Sequence, residues 1–370
     1  MNFGFTEEQD LLRNEVRKFL DENYPLEEVR KISESSEGFS RELWQQIAEL
    51  GWLGLTIPEE YGGAELGWVD LVVILEEAGR TLFPLPLIST TLAAAAIRES
   101  GSAEQQARWL PRIAEGSAIG TLAFLEADDI QGAEGIKLRP ADGSLSGEKL
   151  FVCDAGVADL FVVALRTGEG PEDLRLAVLE RGAEGLSSED LPGVDLTKRL
   201  GRVQFDGMQL PPDAMLGDGP AGAAIARLQD FGAMALAAEM IGAAEAALQL
   251  TVSYAGERVQ FGQPIGTFQG VKHPLAEMYV DIESFKSLVY YAAWCLEEGH
   301  QDAPLATSRA KAYASEAFPR IGLDAIQLHG GIAYTWEYDA QLYLKRSIWA
   351  RPVFGDADYH YERAASLGGL

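Results

Sequence analysis

The sequence predicts an α+β fold that is mostly helical, with a β region between two helical regions. Apolar residues recur at helical spacing through residues 1–117, short β-favouring runs separated by Gly, Asp and Pro fill residues 118–220, and long blocks rich in Ala, Leu and Glu fill residues 221–370. We therefore expect an N-terminal helical domain, a middle β-barrel-like domain and a C-terminal helical domain with these boundaries. Strands and helices do not alternate, and no G-x-G-x-x-G directly follows a strand, so nicotinamide binding by a Rossmann fold has no support.

Capping signals mark the first and last helices of the N-terminal domain. Thr6 is followed three residues later by Gln9, and Ser102 by Gln105, a spacing in which each side chain can bond the backbone N–H of the other residue. The segments ELWQQIAEL, WVDLVVILEEAG and LISTTLAAAAIRES between them predict three more helices.

Short runs of high β propensity predict the strands of the middle domain. They are IGTLAFLE, IKLRP, SLSGEKLFVCD, DLFVVALRT, LRLAVLE and GRVQFDGMQL, and the loop PPDAMLGDGPAG closes the domain. Helical patterns return at about 222–254, 268–299, 303–329, 337–349 and 356–367.

Composition narrows the class of protein. Apolar residues make up 47% of the 370 residues, enough for a large buried core, and the formal charge of -27 disfavours binding to nucleic acid or anionic lipid. The cysteines Cys153 and Cys295 and the four histidines lack the spacing of a disulfide framework or a metal site. The acidic N-terminus does not resemble a secretion signal, and residues 232–250, the most apolar stretch, contain two glutamates, as a core helix does. We expect a cytoplasmic protein with no nucleic-acid, membrane or metal partner.

Five segments resemble the acyl-CoA dehydrogenase family, in one order and spacing over essentially the whole chain. They are GWLGLTIPEEYGGAELG, VDLVVILEEAG, PPDAMLGDGPAG, YAGERVQFGQPIGTFQGVKH and IQLHGGIAYTWEYDAQLYLKR. The resemblance implies a C-terminal four-helix bundle, FAD in the cleft between the β domain and the bundle, and a tetramer in which two subunits share each FAD. It also implies α,β-dehydrogenation of an acyl-CoA thioester: a carboxylate removes the α proton while the β hydrogen passes as hydride to the flavin. Electron-transfer flavoprotein would then accept the electrons.

The residues that a subunit of this family lends to its neighbour's FAD, on the adenine and pyrophosphate side, match well. We call them the adenine-side set: Arg258, Phe261, Gln269, Gln327, Gly330 and Gly331. The arginine suits a pyrophosphate because its fixed fork of donors pairs with phosphate oxygens, and backbone without side chains can approach a cofactor closely. The alternative is that Arg258 is a surface cation and the glycines only end a helix.

The residues that a subunit supplies to its own flavin depart from the family pattern. The family usually shows T-E-P and then G-S-D, but Leu125–Asp129 offers no hydroxyl donor. Phe151 replaces the tryptophan that commonly stacks on the flavin, and Cys153 replaces a hydroxyl residue; we call these two the flavin-side pair. Both could equally be core residues of a strand.

The catalytic base is the largest departure. The family's glutamate position falls on Phe354, and the position used by another branch falls on Gly232. Asp356 is a weak candidate because it is better explained as a helix cap. Glu239 lies two helical turns after Gly232 in an apolar stretch, where burying an unpaired carboxylate would be costly. We therefore expect Glu239 to be paired with a structural partner such as an arginine rather than to act in catalysis.

Two pairs of side chains allow both a structural and a functional interpretation. His273 and His329 are expected to be hydrogen-bonded interface residues rather than proton shuttles. Lys345 and Arg346 could steer a phosphate of coenzyme A or could simply belong to a solvated face.

Our leading hypothesis is that the chain is the shorter, base-lacking subunit of an α2β2 acyl-CoA dehydrogenase. A second dehydrogenase-like chain would then carry the base, as in bacterial members of the family that act on bulky thioesters such as steroid side chains. One alternative is a self-sufficient homo-oligomer that uses Asp356 or Glu239. Another is a flavin monooxygenase or oxidase on the same fold.

Overall fold

The computed structural model describes residues 5–369, which divide into two units. The helical unit comprises residues 5–31, 68–83 and 233–369, and the mixed unit comprises residues 32–67 and 84–232. Each unit is assembled from segments that are distant in sequence, because the N-terminal helices are distributed over both.

The described residues form eleven α-helices, which confirm the mostly helical α+β class. The helices are α1 (Glu7–Asn23), α2 (Leu26–Glu34), α3 (Arg41–Glu49), α4 (Trp68–Arg80), α5 (Leu87–Ser100), α6 (Ala103–Ala114), α7 (Gly222–Glu257), α8 (Gln269–Glu297), α9 (Ala303–His329), α10 (Ala340–Ala350) and α11 (Ala357–Leu367). Both predicted capping boxes are present, at Thr6–Gln9 and at Ser102–Gln105.

The strands of the mixed unit form two sheets, and a separate hairpin lies in the helical unit. The strands are β1 (Gly120–Ala123), β2 (Pro140–Ala141), β3 (Ser144–Cys153), β4 (Leu160–Arg166), β5 (Leu174–Glu180), β6 (Leu186–Leu191), β7 (Leu200–Gln209), β8 (Val259–Gln260) and β9 (Gln263–Pro264). One sheet has the order β1-β4-β5 with β1 parallel to β4, and the other is antiparallel with the order β2-β3-β7-β6.

The strand prediction was wrong in two places. IKLRP is not a strand, and only Pro140–Ala141 pairs with β3, because the N–H groups of Lys137 and Leu138 donate to the Glu126 carboxylate, 2.9 Å each, instead of to a neighbouring strand. The sequence did not predict β6, whose four central residues, SSED, are polar, as suits an edge strand that pairs only with β7 among the described strands.

Helices α4 and α7 cross at a point where neither has a side chain. A Cβ on Gly79 would lie 1.8 Å from the carbonyl oxygen of Glu239, and one on Gly242 would lie 1.7 Å from that of Glu76. Only glycine permits such an approach, so the crossing fixes the position of Glu239 relative to α4.

Helix α7 is long and apolar enough to cross a membrane by length and composition alone. However, 83% of its most apolar window is buried within the chain. It therefore packs as a core helix, as its two glutamates indicated.

Candidate functional site

The adenine-side set lies on two adjoining segments of the helical unit. Arg258 directly follows α7, and Gln269 is the first residue of α8. The second segment begins near the end of α9 and continues into the turn that starts at Gly330. The rings of Tyr254 and His329, the latter immediately before Gly330, have centroids 4.5 Å apart and join the two segments. The structure therefore brings together residues that lie about 70 positions apart in sequence.

The hairpin between α7 and α8 presents Phe261 to solvent. Strands β8 and β9 pair through Gln260 and Gln263, so the tip consists of Phe261 and Gly262, both with positive φ (54° and 81°). A bulky residue in this conformation is strained by about 1–3 kcal/mol. The ring is 93% exposed and touches Phe268 edge to face at 6.1 Å. Because the ring is exposed and makes few contacts, it adds little to the stability of the hairpin. We interpret it as a contact surface for another molecule.

The other residues of the adenine-side set are also exposed to solvent. Arg258, Gln269 and Gln327 are exposed, and no side-chain hydrogen bond or ion pair joins them to the described part of the chain. A Cβ on Gly330 or Gly331 would meet no atom within 4 Å. A charged ligand can therefore bind this surface without first breaking an interaction within the chain.

The two predicted histidines differ. His329 is buried, its Nδ1 lies 2.7 Å from the carbonyl oxygen of Ala325, and burial lowers its pKa. A neutral, hydrogen-bonded ring agrees with the structural interpretation. His273 is exposed on α8 and makes no hydrogen bond with residues 5–369, so its role as a hydrogen-bonded interface residue stays a prediction.

The flavin-side pair lies on β3 of the mixed unit. Phe151 is 43% exposed and has a φ of 54°, whereas Cys153 is half-buried and its carbonyl oxygen accepts a 2.6 Å hydrogen bond from the Thr121 hydroxyl. Phe151 is therefore not a core residue of the strand. Its exposed face can cover an aromatic ring, but the pair supplies no hydroxyl donor.

The position of the family's catalytic base lies in a turn, residues 351–356. Side chains of the helical unit form hydrogen bonds with the backbone of this turn. Phe354 and Gly355 have φ values of 58° and 95°. The Nε2 of His360 donates to the Phe354 carbonyl oxygen at 2.9 Å. Because a phenyl ring stands where the carboxylate is expected, the turn offers no proton acceptor at that position.

A buried lysine anchors the same turn. The ammonium of Lys311 donates to the Ser315 hydroxyl (2.8 Å) and to the carbonyl oxygens of Ala350, Arg351 and Gly355 (3.2, 2.9 and 2.8 Å). It stabilises the carbonyl end of α10, and burial lowers its pKa to about 7. Sequence reasoning missed this residue, although a lysine within the Ala-rich run ATSRAKAYASEAF was a usable signal.

The acids near the base positions are engaged in structural contacts. The Asp356 carboxylate caps α11 by accepting the backbone N–H of Tyr359 at 2.9 Å. Glu239 is buried and forms an ion pair with Arg346, whose guanidinium also donates to the carbonyl oxygen of Leu82 at 3.0 Å. Both carboxylates thus have the structural roles that the sequence favoured.

The surface location expected for Arg346 was wrong. It is 1% exposed, because this position on α10 is turned toward Glu239 on α7. Lys345 next to it is half-buried, with its ammonium 5.1 Å from the centroid of the Trp336 ring.

Comparison with known proteins gives consistent matches. Residues 6–117 match the model of the acyl-CoA dehydrogenase N-terminal domain, and residues 222–366 match that of the C-terminal domain. The acyl-CoA dehydrogenase IpdE2 of Mycolicibacterium smegmatis is 35% identical over 354 residues, which cover 95% of each chain.

Two solved structures extend these matches to the fold. A variant of the Tcur3481-Tcur3483 steroid ACAD has a TM-score of 0.89 and 32% identity over 98% of both chains. PigA with FAD and proline has a TM-score of 0.92 and 27% identity over the full length of both chains.

Proposed function

Because this chain belongs to the acyl-CoA dehydrogenase family, we propose that it is the base-lacking subunit of an α2β2 acyl-CoA dehydrogenase and completes the FAD site of its partner. In this proposal the domains are residues 1–117, 118–220 and 221–370. The protein is cytoplasmic, and electron-transfer flavoprotein accepts the electrons. The substrate is an acyl-CoA thioester of the fatty acid or steroid side-chain type, which the similarity to a steroid ACAD supports.

One observation carries the proposal: no carboxylate stands at Phe354 or Gly232, and the two acids that could replace the base, Glu239 and Asp356, are already engaged. The Glu239 carboxylate is bound to Arg346, and that of Asp356 caps a helix. Freeing Glu239 as a base would leave the Arg346 guanidinium buried without its carboxylate, at a cost of several kcal/mol. These contacts support the proposal that another chain removes the α proton.

The adenine-side set fits its share of FAD. The guanidinium of Arg258 has no ion pair with the described residues and can donate two hydrogen bonds to oxygens of a pyrophosphate. Gly330 and Gly331 leave space for the phosphates. Phe261 offers an exposed ring beside them. The likeness to PigA with FAD and to a structure named for two components supports both the cofactor and a paired assembly.

The flavin-side pair fits FAD less completely. Phe151 can cover one face of the ring, and Cys153 is a weak donor. When bound, FAD supplies the acceptor for the hydride that leaves the β carbon. In this chain the adenine-side set binds and orients the nucleotide part of the cofactor, while the partner holds the proton acceptor.

The test compares this chain alone with the chain co-expressed with a second, longer dehydrogenase-like chain. We expect an α2β2 mass by native mass spectrometry and bleaching of the visible flavin band by acyl-CoA under anaerobic conditions only for the pair. A yellow homotetramer of this chain that bleaches with acyl-CoA would overturn the proposal, and Glu239→Gln and Asp356→Asn variants would then identify its base. Oxygen consumption with reduced flavin but without thioester would instead indicate an oxidase or monooxygenase.

A further inference from the structure

A buried lysine lies beside the flavin-side pair. The side chain of Lys149 on β3 is 0% exposed. Its ammonium donates to the carbonyl oxygen of Phe124 at 3.0 Å and to the Glu126 carboxylate at 2.7 Å. Burial lowers the pKa of Lys149 to about 8, and the Glu126 carboxylate opposes the shift. Burying an ammonium lowers the stability of the fold even when it is paired. We therefore looked for a role of Lys149 beyond stability.

The Glu126 carboxylate is the centre of a small network. The oxygen that accepts from Lys149 also accepts the backbone N–H groups of Lys137 and Leu138, each at 2.9 Å. One carboxylate therefore ties the segment after β1, the segment before β2 and strand β3 together. Because the amide donors belong to the backbone, this part of the network does not depend on the side chains at 137 and 138.

Strand β3 bulges directly after Lys149. The register with β7 pairs Lys149 with Val203 and then Val152 with Gly201, so two residues of β3 oppose one of β7. Phe151 is the second of the two, and its positive φ turns the ring out of the strand.

Hydrogen bonds hold the bulge at both ends. At its first residue, Leu150 donates its N–H to the carbonyl oxygen of Leu125 at 2.9 Å. After it, the Thr121 hydroxyl binds the carbonyl oxygen of Cys153 at 2.6 Å. Lys149 adds the two side-chain bonds that connect β3 to Phe124 and Glu126, so both backbone and side-chain hydrogen bonds join β3 at the bulge to the segment after β1.

We propose that Lys149 is a positioning residue for the flavin-side pair: by binding Phe124 and Glu126 it fixes the bulge that presents Phe151 to the flavin ring. This inference rests on the proposed function, because it assigns Phe151 to a flavin. The ammonium itself does not touch the cofactor. It acts by holding the exposed ring in one orientation, which lowers the ordering cost of binding.

The test uses the double variant Lys149→Met, Glu126→Gln in the co-expressed complex, or in this chain alone if no complex forms. Methionine fills the apolar space, and glutamine keeps an oxygen for the amides of Lys137 and Leu138 without leaving an unpaired charge. The readouts are FAD affinity by titration of the apoprotein, the visible circular dichroism of bound flavin, and amide hydrogen exchange of residues 124–127 and 149–152.

Two control variants separate positioning from general damage. Lys137→Met removes a lysine of the same region that is exposed and forms an ion pair with Asp128. Val178→Ala removes buried side-chain volume on β5 in the other sheet, and so lowers stability without touching β3.

We expect the double variant to weaken FAD binding by about tenfold or more, to flatten the flavin dichroism and to speed exchange of both segments, whereas both controls keep the unmodified affinity. Unchanged affinity and dichroism despite faster exchange would overturn the inference, as would an equal loss in Val178→Ala. If the double variant does not fold, Glu126→Gln alone is measured against the same criteria. Failure of the proposed function appears separately, as the absence of an α2β2 mass.

Discussion

Two regions of the helical unit differ in how their polar groups are satisfied. In the adenine-side set, Arg258 and two glutamines point outward without a hydrogen-bond partner in the described chain, and the glycine turn faces open space. In the turn at residues 351–356, Lys311 and His360 satisfy the backbone carbonyl groups from within. The first region has the properties of a surface that another molecule completes. In the second, the helical unit itself supplies the donors for the carbonyl groups of Phe354 and Gly355.

The buried pair of Glu239 and Arg346 gives the strongest test of this difference. Arg346→Met should lower the free energy of unfolding by about 3–5 kcal/mol, because the Glu239 carboxylate stays buried without its guanidinium. The double variant Glu239→Met, Arg346→Met should recover most of this loss. Urea denaturation measures both. A Glu239→Gln variant that unfolds normally but no longer permits flavin reduction would show instead that Glu239 is a base.

The pH dependence of stability tests the hydrogen bond between the buried His360 ring and the Phe354 carbonyl group in the turn. Burial lowers the pKa of His360 to about 3, from an ordinary value of 6.5. Between these values the unfolded chain binds a proton that the folded chain does not, so stability falls as the pH falls. From pH 6.5 to 4.5 the loss should be about 2 kcal/mol.

The control for this measurement is His360→Gln, which keeps a donor for the Phe354 carbonyl group but does not titrate. Its unfolding free energy should change less over the same pH range. Parallel curves for the two proteins would mean that His360 is not responsible.

Removing a member of the outward-facing region should affect assembly or cofactor binding and leave folding unchanged. Arg258→Met should weaken FAD binding in the complex by about tenfold, about 1.4 kcal/mol, while unfolding changes by less than about 0.5 kcal/mol. Arg309→Met is the matched control, because it removes another exposed arginine that has no ion pair with residues 5–369. Equal losses in both variants would indicate a general effect of charge.

The smallest effect on folding is expected for Gly331→Ala. Its Cβ would meet no atom within 4 Å, so the thermal midpoint should stay within about 1 °C while FAD affinity falls a few-fold. By contrast, Gly242→Ala should disrupt folding, because its Cβ would lie 1.7 Å from a backbone oxygen. A stable Gly242→Ala protein would contradict the helix crossing described above.

Much of the fold could be predicted because its signals are local. The capping boxes and the Ala-rich blocks depend on residues within one or two helical turns of each other, and the C-terminal helices begin and end within a few residues of the predicted limits. Helix α2 and strand β6 were not predicted: α2 follows Pro25 without the serine cap that precedes α3, and β6 lies at a sheet edge where alternation of apolar residues is not required.

Much of the candidate site could not be predicted in this way. The positions of Arg258 and Phe354 followed from the family resemblance, but the burial of Arg346 did not, because it depends on contact with Glu239 more than 100 positions away. The same holds for Lys149, whose partners belong to an earlier segment of the chain. Sequence periodicity gives the spacing along a helix or strand but does not determine which face meets which neighbour.

The exposed ring at the tip of the β8–β9 hairpin has a consequence for how the protein is made. Until another molecule covers it, the ring of Phe261, 93% exposed, is available to chaperones and to other nascent chains. In the proposed α2β2 assembly, balanced translation of both polypeptides would hide the ring soon after release from the ribosome. Surplus copies of this chain alone should therefore be short-lived in the cell.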